Sequence, residues 1–440
     1  MEKRHQILKL VIALAVVALA VVLLAGFLGG KDLMYHLLHR ETPLSREDIT
    51  YVEAEAPAAS SKDGTVAAAD WEALYPYIVA SMGANDENAY SVDYLEEDPY
   101  LVNIYEGYGF AKDYGSARGH SYTLEDVSKT QRPHALANCL TCKTPNYTKL
   151  VNDLGVQAYT LEFDEAMGLM EENISCYNCH GNDAGNQGQI TITHSYVTEA
   201  LGEGYDGIDL STLSCGQCHI EYYFTPADKE TMMPYGSDED MTPEAILAYY
   251  DTMELPDGTV GFADWTQEST GARMLKAQHP ELETYLSGPH AALGLNCADC
   301  HMPMEMAEDG TVYHSHLLVS PLDSPERLSY CLTCHKDQGI ETAEQMVDFT
   351  HRLQEKVTAE ETKVGNALSD FKDALAAANQ AGTLSQEDLD AVRQLYREAQ
   401  WFFDFCYVEN AEGAHNSALA FHCLELAQTR IDEGMALLGD

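Results

Sequence analysis

The chain has 440 residues, with 25 Lys and Arg set against 71 Asp and Glu, a formal charge of −46. Such acidity gives a well-solvated surface and excludes nucleic acid as a partner, which requires a basic face. It also repels small anions, so any anion site must carry its own local positive charge.

The N-terminus reads as an export and anchoring signal. Met1-Glu-Lys3-Arg4-His5 leads into an uncharged apolar run from Leu10 to Leu28, long enough to span a bilayer. No small-x-small cleavage pattern follows, because Ala25, Gly26, Gly29 and Gly30 each have a bulky residue two places before. Residues 1–30 are therefore expected to form a retained membrane anchor rather than a cleaved signal. Lys3, Arg4 and Lys9 keep the short side inside and place the rest of the chain on the extracytoplasmic face. Residues 31–69 read as a flexible tether: Glu53 to Asp70 is rich in Ala, Glu, Ser and Asp, contains Pro57 and Gly64, and shows no apolar period.

Residues 70–338 carry five Cys-x-x-Cys pairs. Four end in His: Cys176-Tyr-Asn-Cys179-His180, Cys215-Gly-Gln-Cys218-His219, Cys297-Ala-Asp-Cys300-His301 and Cys331-Leu-Thr-Cys334-His335. The other is Cys139-Leu-Thr-Cys142-Lys143. Cys-x-x-Cys-His is the attachment signature of c-type haem, in which two thiols bind the macrocycle and the next residue ligates the iron. Structural zinc needs no His at that place, and disulfide frameworks belong to short, core-poor chains. Five covalent haems are therefore expected, which fits the extracytoplasmic placement. Lys143 offers an amine where the others offer an imidazole, so its haem is the candidate substrate site. The alternative for Lys143 is a decayed motif with an exposed side chain.

The four attachment histidines are committed as ligands, and electron-carrying haems take a second His each. The remaining candidates here and beyond are His120, His134, His194, His279, His290, His314, His316, His351, His415 and His422; spacing alone cannot choose among them. Behind His219 stands Ile-Glu221-Tyr222-Tyr-Phe, and further on Lys276-Ala-Gln278-His279-Pro. Glu221 and the Gln278 amide are hard oxygen donors suited to Ca²⁺, His279 is a candidate proton donor, and Arg132 offers several N–H donors to an anion. Singly, each also reads as an ordinary surface or packing residue.

Residues 339–440 change character. Met346, Phe349, Leu353, Val357, Val364, Leu368, Phe371 and Leu375 recur at spacings of three, four or seven, one apolar face of a long helix that Gly382 ends. Ser385-Gln-Glu-Asp388 predicts a capped start for a second helix through Val392, Leu395 and Trp401, and a third runs from about Asn416 to Leu438. The stripe suits either an intramolecular bundle or a dimer interface. Cys406 and Cys423 lie outside any haem motif and read equally as a disulfide or as buried thiols. The fold expected is mainly α with little β structure, a haem-packed core followed by long C-terminal helices.

From about Trp71 onward the chain resembles the pentahaem, ammonia-forming cytochrome c nitrite reductases. The marks are Ala117-Arg-Gly-His120, the Cys139–Lys143 motif, Cys-Gly-Gln-Cys-His219-Ile-Glu221-Tyr222-Tyr-Phe, Lys276-Ala-Gln278-His279-Pro and Cys-Ala-Asp-Cys-His301-Met-Pro. The resemblance implies six-electron reduction of nitrite to ammonium at the Lys143 haem, with Arg132, Tyr222 and His279 on its open side. It implies calcium held by Glu221, the Tyr222 and Lys276 carbonyls and Gln278. It gives His316 to the Cys176 haem, His120 to the Cys215 haem, His290 to the Cys331 haem and His415 to the Cys297 haem. It further implies a membrane quinol-oxidising multihaem cytochrome as electron donor, while the expected homodimer rests on the apolar stripe of the C-terminal helices. The anchor and the acidity depart from the family's common pattern, as do the two extra cysteines. A multihaem electron conduit is the rival from another class, and a reductase acting mainly on sulfite or hydroxylamine is the rival enzyme.

Overall fold

A computed structural model describes residues 44, 48–49, 54–133, 135–185, 188–202, 207–237, 240–323 and 325–439. The expected anchor, most of the tether before residue 54, and His134 lie outside these. No helix among the described residues is long and apolar enough to cross a membrane. The β structure described is three two-stranded antiparallel ladders, Tyr223–Phe224 with Thr231–Met232, Trp265–Thr266 with Arg273–Met274, and Met304–Met306 with Val312–His314. Helices and turns form the rest of the ordered structure, as expected.

The middle of the chain is built of short helices. Helix α1 (Pro145–Leu154) starts on Thr144, whose side chain accepts from the Asn146 N–H, and stops at Gly155. Helix α2 (Leu210–Gly216) is capped by Asp209, and α3 (Glu281–Leu286) follows Pro280. These two lie so close that a Cβ on Gly216 would come within 2.8 Å of Leu282. The glycine of the Cys-Gly-Gln-Cys motif thus lets the segment after His279 sit against His219, where the Leu282 N–H donates to the His219 carbonyl at 3.1 Å.

Helix α4 (Pro325–His335) leads into three long helices: α5 (Ala343–Ala381), α6 (Gln386–Tyr407) and α7 (Ser417–Leu438). The ends that the sequence marked, at Gly382, Ser385 and Asn416, are where it placed them. Thr342 and Gln345 form a capping box, Gly382 closes α5 in the left-handed region, and Ser385 accepts from the Asp388 N–H. Val357, Val364, Leu368, Phe371 and Leu375 are buried in one core with Val392, Tyr396, Leu424 and Ile431 of the other two helices. The lower part of the stripe is therefore spent inside the chain. Its upper part points elsewhere: Phe349 and Leu353 face the cavity described below, with Phe349 6.1 Å from the His335 ring.

One detail differs from the sequence reading, and one open alternative takes its second form. Residues 54–69, expected within the tether, pack on the body: Ala54 donates to Gly185, Val66 to Asn182, and Val66 is buried with Trp71. Cys406 and Cys423 are buried free thiols, and Cys406 donates to the Glu361 carboxylate at 3.1 Å.

Candidate haem and substrate site

Three of the five attachment pairs lie wholly on helix, and the other two begin on a helical turn and run out of it. Cys176–His180 and Cys297–His301 are single turns; in the first the Asn178 side chain accepts from the Ser175 N–H at 3.1 Å, and in the second Asn296 and Asp299 hydrogen-bond each other's backbone N–H groups. Residues three and four apart share a helix face, so both thiols and the following residue turn toward one side. Cys215 lies in the last turn of α2, and Cys331, Cys334 and His335 end α4. Cys139 lies in the turn Ala137–Leu140, and Lys143 follows it just before Thr144 caps α1.

All five pairs contribute to the wall of one cavity of about 2250 Å³. Ordinary protein interiors hold few voids larger than a water molecule, so such a space is a cradle rather than a packing defect. Across it four pairs of imidazoles face each other. The ring centres stand 6.5 Å apart for His180 and His316, and 6.2 Å apart for His120 and His219, His290 and His335, and His301 and His415. One metal between two imidazoles needs about this separation: two metal–nitrogen bonds of about 2 Å, plus about 1 Å from each nitrogen to its ring centre. Burial pushes His120, His301 and His316 down to about 4, which keeps them in the neutral, ligating form. The residues present fit haem c.

The thiols also fix which attachment turns are neighbours. Cys142 hydrogen-bonds with Cys218, and Cys215 with Cys297. Cys179 lies beside Cys215, and Cys300 beside Cys331. The Lys143 turn therefore adjoins the Cys215 turn, which branches to the Cys176 turn and to the Cys297 and Cys331 turns beyond.

Lys143 lines the cavity with Tyr222 and His279. Burial pushes His279 down to about 4, with the Lys143 charge adding to the effect, and burial raises the Tyr222 phenol. Both are therefore protonic neutral donors at neutral pH. Arg132 is half-buried behind them, its guanidinium 4.5 Å from the centre of the Phe110 ring and its Nε donating to Thr130 at 3.0 Å. Lys276 covers the other contact of Phe110, with Nζ 4.4 Å from the same ring centre. Two cations thus stand against one aromatic ring in a strongly acidic protein. Burial pushes Lys276 down to about 8.

Beside this stands an oxygen-rich core. The Glu221 carboxylate is buried and accepts from the Tyr250 hydroxyl at 2.8 Å and the Gln278 N–H at 2.6 Å. The Gln278 amide reaches the Lys276 carbonyl at 2.8 Å, and the Lys276 N–H donates to Asp264 at 3.0 Å. Burial pushes Glu221 well above the carboxylate range, Asp264 up to about 6 and Glu283 up to about 7, and one oxygen of Glu283 has no partner among the described residues. Buried acids in that condition fit a hard cation among them. Among the described residues no three His, Cys, Asp or Glu side chains are arranged to hold a metal ion. The Glu221 carboxylate, the Lys276 carbonyl and the Gln278 side-chain amide meet here, hard donors of the kind that suits Ca²⁺ rather than a transition metal.

Other histidines fall outside these pairs. His194 is buried against Tyr196 and Cys218, His314 bonds the Met302 carbonyl, His422 pairs with Glu244 at the surface, and His351 is exposed. The sequence reading missed two acids. Glu281 Oε1 lies 3.9 Å from Nδ1 of both His219 and His279, and Glu409 meets Nδ1 of His415 at 2.7 Å. Glu281 could have been suspected from its place two residues after His279; Glu409 gave no signal.

The attachment turns and the facing imidazoles define a c-type cytochrome with covalently bound haem. The cytochrome c552 profile matches residues 68–439. The chain is 30% identical over 430 residues to a cytochrome c-552 of Desulfotalea psychrophila, covering 92% of this chain and 80% of that one. Its fold is similar to the catalytic subunit (NrfA) of the cytochrome c nitrite reductase of Desulfovibrio desulfuricans ATCC 27774, a structure with two calcium sites. There the TM-score is 0.76 at 28% identity, covering 84% of this chain and 86% of that one. The chain belongs to the cytochrome c552 family and is an oxidoreductase, as the residue strings implied.

Proposed function

We propose that the protein reduces nitrite to ammonium at the haem bound by Cys139 and Cys142, with Lys143 as its axial ligand. The observation that carries this is the contrast within one cavity. Four attachment histidines face a second imidazole, whereas the wall at the Lys143 turn offers Tyr222 and His279. The likeness to a nitrite reductase supports the same reading.

The haems supply electrons one at a time and, at the Lys143 turn, an open coordination position for the anion. The protein residues do the rest. Arg132 and Lys276 give local positive potential against the formal charge of −46, and calcium held by Glu221, Gln278 and the Tyr222 and Lys276 carbonyls adds to it. His279 and Tyr222 donate hydrogen bonds and protons to the oxygens that leave as water. His120, His290, His316 and His415 close the other irons to substrate. Taking nitrogen from +3 to −3 needs six electrons at one place, and the Cys215 turn, where the order of attachment turns branches, adjoins the Lys143 turn, so a haem held there would stand next to the site.

Extracytoplasmic placement and anchoring through residues 1–30, supported by the N-terminal run, a membrane quinol-oxidising multihaem cytochrome as donor, supported by the family resemblance, and a homodimer over the C-terminal helices, supported by their length and spacing, belong to the same proposal. The haem content tests its first premise. The pyridine haemochrome assay against protein concentration is expected to give five haems per chain; four would leave the Cys139 pair without haem and remove the substrate site.

A further inference from the structure

The axial histidines differ in what holds their second ring nitrogen. With Nε2 on iron, Nδ1 carries the proton and donates. His180 donates to the Gln189 carbonyl at 2.7 Å, His316 to the His314 carbonyl at 3.0 Å and His301 to the Val319 carbonyl at 3.0 Å. Nδ1 of His120 and of His335 is buried without a partner among the described residues. Nδ1 of His219 has the Glu281 carboxylate 3.9 Å away, beyond hydrogen-bond length, whereas Nδ1 of His415 meets Glu409 Oε1 at 2.7 Å.

That carboxylate is held in place. Glu409 is 4% exposed and sits in the turn between α6 and α7. Its oxygens accept from the Ala411 N–H at 3.1 Å and the Gly413 N–H at 3.4 Å, and Gly413 has the positive φ, 82°, that the turn requires. A Cβ on Gly413 would come within 2.7 Å of the Val357 side chain on α5, so the turn is wedged against the long helices. The acid and the imidazole thus ride one short loop fixed at both ends. A buried anion bonded to Nδ1–H makes the imidazole a stronger donor to iron and favours the oxidised state.

We propose that Glu409 is a positioning residue that lowers the reduction potential of the Cys297 haem below those of the other three six-coordinate haems. This rests on the reading of His301 and His415 as ligands of one iron. The Cys297 turn lies between the Cys331 and Cys215 turns, so a low potential there makes onward transfer toward the Lys143 site downhill.

The experiment is an EPR-monitored redox titration of the holoenzyme. Glu409→Gln keeps the shape and removes the charge. One low-spin haem is expected to shift to higher potential, by a tenfold or larger change in its one-electron equilibrium, at about 59 mV per tenfold. Glu409→Asp keeps the charge but draws it back, and is expected to move the same haem less and in the same direction; it also serves if Glu409→Gln fails to assemble. His415→Ala identifies the haem, because it opens that iron to a high-spin state. Unchanged potentials in a fully haem-loaded Glu409 variant overturn the role of Glu409 and leave the ligand pairing intact. A His415→Ala protein with every haem still low-spin overturns the pairing itself.

Discussion

His279→Asn is expected to cut kcat by about 10²–10⁴-fold while every haem spectrum stays as in the wild type. The ring lines the cavity beside Lys143 and Tyr222, and its side chain is 45% exposed to that space. Among the described residues no imidazole faces it as at the four His pairs. Burial keeps it neutral, so it acts through a polarised N–H, and Glu281 at 3.9 Å steadies Nδ1. Asparagine keeps some hydrogen bonding and loses the ring's reach and basicity. His316→Ala is the comparison, because its ring stands 6.5 Å from that of His180. That variant should open the Cys176 iron, give a high-spin signal and slow electron supply. If His279→Asn disturbs a low-spin haem and His316→Ala disturbs none, the two assignments are exchanged.

Glu221→Ala is expected to release bound calcium and lower activity by about 10–100-fold with all haems still attached. The carboxylate is 1% exposed and stands among Asp264, Glu283 and the Lys276 and Gln278 backbone. A buried anion beside others is costly without a cation, and a divalent ion supplies positive potential with no proton equilibrium of its own. Metal analysis and turnover are measured on the same preparation. Wild-type protein without calcium, together with an active Glu221→Ala variant, would leave the oxygen cluster as a protonated core with no ion.

The C-terminal helices were legible because their signals are local. Gly382, Ser385 and Asn416 are end signals whose chemistry acts over three or four residues, and the structure uses each of them, whereas the Thr342 cap went unread. The apolar stripe was read with the right period but one purpose too few: its lower part packs the bundle, and Phe349 and Leu353 line the cavity. The structure brings the four His pairs together as the family resemblance paired them, over separations as large as that between His180 and His316, which no periodicity encodes. Glu409 was invisible for a related reason. Its role is set by the turn that carries it, and an acid in an acid-rich chain has no pattern to mark it. Residues 54–69 misled by composition, since Ala, Ser and Asp can cover a surface as readily as they can span a gap.

The most direct measurement supplies reduced protein with nitrite and quantifies nitrogen products and electrons together. The account predicts one ammonium per nitrite consumed and six electrons withdrawn from the donor, with no free intermediate accumulating. Oxidation-competent haems that leave nitrite untouched, or nitrite that ends as a partly reduced product, would contradict it.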